Sequence, residues 1–169
     1  KNIQATQIQD ALREYRIPSV IQGNGTVFQS DESDQMYTLL LGISEPESTQ
    51  QVRAALATDI LGLTAKDIDA LNTDEQAWEN WKSQFSEWKR DWTKHGFVQM
   101  MRGLLLWSQV QEQDCVQTRL LQYPNGERRI TNILHLIERL HDRARQAKLG
   151  MSALVHWYRE MSQDKDRSG

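Results

Sequence analysis

The stretch from residue 126 to residue 146, GERRITNILHLIERLHDRARQ, has the periodicity of a long amphipathic helix. At about 100° per residue, its large apolar side chains share one side, and a row of polar side chains lies opposite them. The apolar side contains Ile130, Ile133, Leu134, Leu136, Ile137 and Leu140, and the polar row contains Arg128, Asn132, His135, Arg139 and Asp142. Such a helix buries its apolar side against a core and leaves the polar row for water or a partner.

The composition of the whole chain also favours helices. The 169 residues contain only three prolines and nine glycines, so long segments have no helix breaker, and 38% of the residues are hydrophobic. At this length, that hydrophobic fraction is sufficient for one domain with its own core. We therefore expect a mostly α-helical, bundle-like fold.

Two features indicate where such a chain resides. No apolar run is long enough to span a bilayer, and the first ten residues, KNIQATQIQD, lack the apolar core of a signal peptide. Cys115 is the only cysteine, so an internal disulfide is impossible and a reducing cytoplasm is the expected compartment. Because nothing near Cys115 supplies an evident base, we do not expect it to be catalytic.

The charges are divided unevenly along the chain. Residues 1–80 contain 13 acidic and 5 basic side chains, a balance of −8, whereas residues 81–169 contain 10 acidic and 15 basic ones, a balance of +5. A basic second half is compatible with a nucleic-acid partner, although +5 is far below the charge of a dedicated nucleic-acid module. Charge alone therefore gives only a weak indication of DNA binding.

Only one part of the chain predicts β structure. Residues 19–21 and 26–28 read as two short strands on either side of the turn signal at residues 23–25, Gly-Asn-Gly. A helix is expected before this segment, at residues 5–15, and another after it, beginning at Ser30 and ending near Pro46.

Paired capping residues predict three further helix starts. Ser48 with Gln51, Thr64 with Asp67 and Thr73 with Gln76 each combine a side-chain acceptor with a polar partner three residues later. The helices that follow are predicted at residues 49–61, 65–71, 74–94, 97–110, 112–122, 127–148 and 151–162. Residues 163–169 are expected to form a polar, frayed tail.

The predicted helix at residues 74–94 carries an aromatic row. Its members repeat at helical spacing and are Trp78, Trp81, Phe85, Trp88 and Trp92. Aromatic rings can stack on unpaired bases, but four exposed tryptophans would make a protein prone to aggregate. We therefore expect this row to pack in the core.

The sequence contains no recognisable catalytic or metal motif. It lacks a GxxxxGK[ST] phosphate loop, and its four histidines have no spacing typical of zinc ligands. The nearby acidic pairs Asp67 with Asp69 and Asp164 with Asp166 fit capping or solvent-exposed roles better than a metal site. No catalytic or metal-binding residue is assigned, and no cofactor is expected within this segment.

Four blocks of sequence, in order, resemble segments of the RecB family, the beta subunits of exodeoxyribonuclease V within the UvrD-like superfamily 1 DNA helicases. The blocks are residues 11–48, residues 52–63 (VRAALATDILGL), residues 74–105, and residues 126–140 (GERRITNILHLIERL). In the first block, Tyr15-Arg16 stands where the family has a small residue and a glycine before Ile17-Pro18. The last block is the most specific of the four.

The resemblance implies a fragment of a larger machine. Residues 1–46 would be the margin of the second RecA-like helicase domain, residues 47–162 its inserted helical 2B-type subdomain, and residues 163–169 a polar tail. A parent protein of this family would use ATP and Mg²⁺ to unwind and degrade DNA in recombinational repair of double-strand breaks. Its partners would be duplex DNA, contacted weakly and non-specifically here, and the RecC-like and RecD-like subunits of its complex, with no membrane involved.

The polar row of residues 126–146 is the candidate contact surface. Arg128, Asn132, His135 and Arg139 share a face and offer donors suited to phosphates or backbone carbonyls, although the resemblance assigns no role to any of them. The other interpretations are an ordinary solvated helix surface, a freestanding helical interaction module unrelated to helicases, and a small independent enzyme. An enzyme would require a pocket in which titratable groups converge.

Overall fold

Eight α-helices make up the fold over the residues that the computed structural model describes, 27–110 and 113–167. They are α1 (Asp31–Ser44), α2 (Thr49–Leu56), α3 (Ala65–Ala70), α4 (Glu75–His95), α5 (Phe97–Leu105), α6 (Val116–Leu121), α7 (Gly126–Gln146) and α8 (Met151–Arg167). A 3₁₀ turn at Val27–Gln29 precedes α1, and these described ranges contain no β-strand. The mostly helical fold class is therefore confirmed.

The predicted two-stranded segment is wrong where it can be assessed. Val27 and Phe28 lie in the 3₁₀ turn, are buried, and do not form an extended strand. The backbone carbonyl of Val27 accepts hydrogen bonds from the backbone N–H and the hydroxyl of Ser30, which tighten the chain directly into the start of α1. The strand predicted at 19–21, the turn at 23–25 and the helix at 5–15 lie outside the described residues.

The capping signals locate the helix starts well. Ser30, Ser48 and Thr64 each accept a hydrogen bond from the backbone N–H three residues later, and Thr64 forms a complete capping box with Asp67. At the fourth start the prediction is wrong by one residue. Asp74, rather than Thr73, accepts from the N–H of Ala77, since the Thr73 hydroxyl donates to the carbonyl of Ala70 and closes α3 instead.

Helix ends and one further start differ more from the predictions. The helix predicted at 49–61 ends at Leu56, because the Thr58 hydroxyl donates to the carbonyl of Ala55 and turns the chain. The helix predicted at 97–110 ends at Leu105, and the next one begins at Val116, whose N–H donates to the carbonyl of Trp107. The last helix continues to Arg167, beyond the predicted end at 162, because residues 163–167 contain neither glycine nor proline.

Helix α1 lies at the centre of the core. Its side chains Met36, Leu39, Leu40 and Ile43 are completely buried, and the helix packs against α2, α4, α7 and α8. Tyr158 of α8 is also enclosed and donates a hydrogen bond of 2.7 Å to the carbonyl of Ser33 on α1. Helix α1 thus shares one core with the later helices, and the division of the chain at residue 46 stays a prediction.

The aromatic row of α4 packs inward, as predicted. Trp81, Phe85, Trp88 and Trp92 are buried, while Trp78, at the outer end of the row, is half-buried beneath the guanidinium of Arg53. The ring of Trp107, which follows α5, lies 5.4 Å from the ring centroids of both Trp81 and Trp88 and is tilted against the first and T-shaped to the second, both favourable aromatic geometries. These contacts fix α4 against the chain that follows α5, and the four buried rings are not available for base stacking.

Two glycines within helices provide a matched test of this packing. A Cβ on Gly42 of α1 would lie 2.8 Å from the Cβ of Ala55, whereas a Cβ on Gly103 of α5 would meet only Asp91, at 3.8 Å. We predict that Gly42→Ala lowers the free energy of unfolding, because α1 and α2 must separate, by about 1–3 kcal/mol. Gly103→Ala should raise it by roughly 0.5–1 kcal/mol through helix propensity. Urea denaturation measures both changes, and an equal response of the two variants would contradict the close approach of α1 and α2.

Candidate interaction surface

The two sides of α7 differ in burial as the periodicity predicts. All six predicted apolar residues are buried, with Ile130, Leu136 and Leu140 completely enclosed. Within the polar row, Arg128 and Asp142 are exposed and the three residues between them, Asn132, His135 and Arg139, are half-buried. The candidate face is therefore less accessible in its middle than a solvated helix surface would be.

Two of the four candidate residues have polar side-chain atoms that are directed toward the protein interior. The Asn132 amide donates a hydrogen bond of 3.0 Å to Oε2 of Glu32 on α1, a side chain that is itself buried. The Nε atom of Arg139 is buried, and it has no hydrogen-bond partner among the described residues. Asn132 thus contributes to packing, while Arg128 is the candidate whose side chain is most accessible to a partner.

Sequence reasoning missed the most highly connected residue of α7, Arg129. Its Nη1 donates to Oδ2 of Asp59 at 2.7 Å, its Nε lies 3.9 Å from Oε1 of Glu32, and its guanidinium stacks 4.9 Å from the ring centroid of Tyr123. A helical wheel places Arg129 about 100° from Arg128, beside the apolar side, which is a position typical of a basic side chain with a buried stem. The wheel cannot identify its partners, because Asp59 is 70 residues away.

Asp59, between α2 and α3, connects the surrounding elements through every polar part of the residue. Its N–H donates to Oε1 of Gln35 at 2.9 Å, and its carboxylate accepts from Nε2 of the same side chain at 3.2 Å. Its carbonyl accepts a 2.9 Å hydrogen bond from Arg119 of α6, which also donates to the carbonyl of Ile60. We call these six residues, Glu32, Gln35, Asp59, Arg119, Arg129 and Asn132, the Asp59 network. It connects α1, the loop after α2, α6 and α7.

The ionisation of Asp59 reflects this position. The hydrogen bond from the Arg129 guanidinium holds the pKa of the Asp59 carboxyl below its ordinary value, against the opposing effect of partial burial. The same hydrogen bond raises the pKa of Arg129. Both groups are therefore charged at neutral pH, and the pair is a structural contact, since its donors and acceptors are directed at each other.

Metal-ligand clusters and membrane-spanning helices are both absent from the described residues. Among them, no group of three or more His, Cys, Asp or Glu side chains is placed to hold a metal ion. Over the same ranges, no helix is long and apolar enough to cross a membrane. Cys115 is half-buried at the start of α6, with its sulfur 3.3 Å from the hydroxyl of Thr118. The chemistry of this surface is that of hydrogen bonding and charge pairing.

Comparison with known proteins identifies the relatives of the chain. No protein-family model matches it. It is 38% identical over 155 residues to "RecBCD enzyme subunit RecB" of Escherichia coli K12, an alignment that covers 91% of the chain and 12% of that protein. The chain is a relative of RecB. The resemblance predicted from the four sequence blocks is confirmed.

RecB proteins of other bacteria match the chain over a similar extent. The RecB of Haemophilus influenzae is 28% identical over 97% of the chain, and the RecB of Mycobacterium tuberculosis H37Rv is 30% identical over 94% of it. An alignment covering 97% of the chain includes all of α1 to α7, so the similarity to RecB is not confined to one motif. The chain spans only about an eighth of the length of these RecB proteins.

The Asp59–Arg129 pair is open to a double-mutant cycle. We predict that Asp59→Asn and Arg129→Met are each destabilising and that their coupling energy is about 1 kcal/mol, because both side chains are partly solvated. Since the pKa of Asp59 is lower in the folded chain than in the unfolded chain, the coupling is present above about pH 4 and is lost as the pH falls through the folded pKa.

Urea denaturation at pH 7 and pH 3 measures this coupling. Glu87→Gln, a change at an exposed position of α4, is the control and should alter neither the stability at pH 7 nor the coupling. A coupling energy near zero at pH 7, or one that grows on acidification, would contradict the role of the pair.

Asn132 and Arg128 should respond differently to truncation. Asn132→Ala removes a donor from the buried Glu32 carboxylate and is predicted to lower the free energy of unfolding by roughly 0.5–1.5 kcal/mol, even though alanine favours helix. Arg128→Ala, at an exposed position of the same helix, should change it by less than about 0.5 kcal/mol. Thermal and urea unfolding measure both variants, and equal losses would refute the distinction.

Proposed function

We propose that this chain is a non-catalytic helical part of an ATP-dependent DNA helicase and exodeoxyribonuclease that acts in recombinational repair of double-strand breaks. The supporting observation is its sequence similarity to RecB, which extends over nearly the whole chain. That similarity favours this proposal over a freestanding interaction module unrelated to helicases. In this proposal residues 47–162 correspond to the 2B-type subdomain, and RecC-like and RecD-like subunits are the partners of the parent protein.

The chemistry of the parent protein belongs to other parts of it in this proposal. A phosphate loop of the GxxxxGK[ST] type is missing from the sequence, so ATP and Mg²⁺ would bind outside this segment. Hydrolysis and strand cleavage would occur there too. The segment itself would act by its position beside the motor, in the cytoplasm.

The Asp59 network supports a positional role. It joins α1 and the loop after α2 to α6 and α7 by ion pairs and hydrogen bonds, while the apolar side of α7 is buried in the core. A surface on a helix that is held in this way keeps its geometry when a partner binds. Movement of the partner would then move the helices as one rigid unit. We propose that the polar row of α7 is a surface of this kind.

The charges of that surface favour a protein contact over DNA. Exposed Arg128 is flanked on α7 by exposed Glu127; further along the helix, Asp142 and Arg143 are exposed and Glu138 and Arg139 are half-buried. A surface of mixed charge attracts a phosphate backbone less than a uniformly basic surface does, and it complements the mixed charges of a protein surface. The proposed contact is therefore with the motor domain or a partner subunit, and duplex DNA is touched weakly.

A DNA titration tests the weak contact. We predict that the 169-residue chain binds a fluorescently labelled duplex with a Kd of roughly 10⁻⁴ to 10⁻⁶ M or weaker, and that affinity falls as salt rises. Arg128→Glu should weaken binding further, whereas Arg159→Glu, at an exposed position of α8, is the matched control. Fluorescence anisotropy at several salt concentrations measures this, and tight, sequence-selective binding would contradict the proposal.

The flanking coding sequence tests whether this chain is part of a larger helicase. The coding sequence on either side of residues 1–169 should continue into helicase motifs, including a phosphate loop upstream. Flanking sequence without such motifs would overturn the proposed function, whatever the outcome of the DNA titration.

A further inference from the structure

A groove opens at the end of the molecule where α4 meets α5 and α7 meets α8. It has a volume of about 410 Å³. Its floor is apolar and includes Trp92, Phe97 and Leu154, all of which are nearly buried, together with the half-buried Met151. A volume of this size lies at the lower end of the range for ligand sites and is suited to one or two bulky side chains.

Two glycines leave the groove open. A Cβ built on Gly96 or on Gly150 would have no atom within 4 Å, so neither position is filled by the protein itself. Gly96 connects α4 to α5 with a φ of +93°, a conformation that favours glycine. Gly150 has no such requirement, and its carbonyl accepts the first hydrogen bond of α8, from the N–H of Leu154.

The edge of the groove is positively charged. Arg145, near the end of α7, lines it and is exposed, and none of the residues that line it is acidic. Lys94 and Lys148, both exposed, adjoin the lining residues Thr93 and Leu149 in sequence. Two carboxylates lie near this edge: Asp91, which His95 contacts at 2.7 Å, and the exposed Asp142, which follows the lining residue His141 in sequence.

We propose that this groove binds an acidic segment of a partner protein, which inserts one bulky apolar side chain while a neighbouring carboxylate pairs with Arg145. The apolar floor gains from burial of the inserted side chain, and the basic edge selects for the carboxylates beside it. A DNA duplex would place its phosphates near Arg145, but its paired and stacked bases would leave the apolar floor unfilled. This proposal does not depend on the proposed function, because it rests only on the shape and charge of the groove.

Synthetic peptides provide a direct test. The probe is a capped pentapeptide with phenylalanine between two aspartates on each side, and its partner has lysines in place of the aspartates. In ¹⁵N–¹H spectra of the 169-residue chain, the aspartate peptide should cause saturable shifts at residues 93–98 and 144–154. The lysine peptide should cause none there. No saturable shift, or equal shifts with both peptides, would overturn the proposal.

Four variants separate the charge of the groove from its shape. Arg145→Glu should weaken binding of the aspartate peptide at least ten-fold. Arg159→Glu reverses an exposed charge of α8 outside the groove, and this variant should bind the peptide as tightly as the unsubstituted chain does. Gly150→Phe should abolish binding by filling the groove, while Gly150→Ser, which is compatible with a helix start, should retain it. If Gly150→Phe fails to fold, the Arg145→Glu and Arg159→Glu pair still decides the matter.

Two further titrations identify other occupants. Dilution of the chain alone should leave the groove signals unchanged, and a concentration-dependent shift there would mean that a second copy occupies the groove. A short DNA duplex should not displace the aspartate peptide. Displacement, with shifts of the same groove residues, would assign the groove to nucleic acid and overturn the proposal.

Discussion

The ion pair between Arg129 and Asp59 fixes how the two halves of this chain meet. Arg129 extends from the edge of the apolar side of α7, so it can reach Asp59 only when that side is seated against α1. Asp59 in turn is held by Gln35 of α1 and by Arg119 of α6. The apolar burial of α7 supplies most of the stabilisation, but it is not directional. The network adds the directional contacts that select one arrangement of the helices.

Local patterns were sufficient to predict the helices of the described residues but not the exact ends of those helices. Ser48 and Thr64 cap α2 and α3 because a capping interaction involves only residues three apart, which are visible in sequence. The turn made by Thr58 after Ala55 and the carbonyl of Trp107 that accepts from Val116 depend on where the chain turns in space. Periodicity therefore predicted that α2 and α5 exist, and tertiary contacts determined where they end.

The difference between local patterns and tertiary contacts also explains which features of the α7 surface were predicted and which were missed. Periodicity assigned Ile130 and Leu140 to the core and Arg128 to the exposed side, since those positions follow from the helix alone. It also grouped Asn132 with Arg128, although the partner of Asn132, Glu32, lies 100 residues earlier in the chain. No one-dimensional pattern indicates that the polar row is partly used inside the protein. The contact surface is accordingly smaller than the row.

Helix α7 connects the two features that give this chain its proposed roles. Arg129 near its start belongs to the Asp59 network, and Arg145 near its end lines the groove; sixteen residues of helix separate them by roughly 24 Å. Between them, α7 is continuously buried along one side. A helix buried along one side over its whole length favours movement as a rigid body over local rearrangement. A partner in the groove would therefore move the whole body with it and leave the Asp59 network intact.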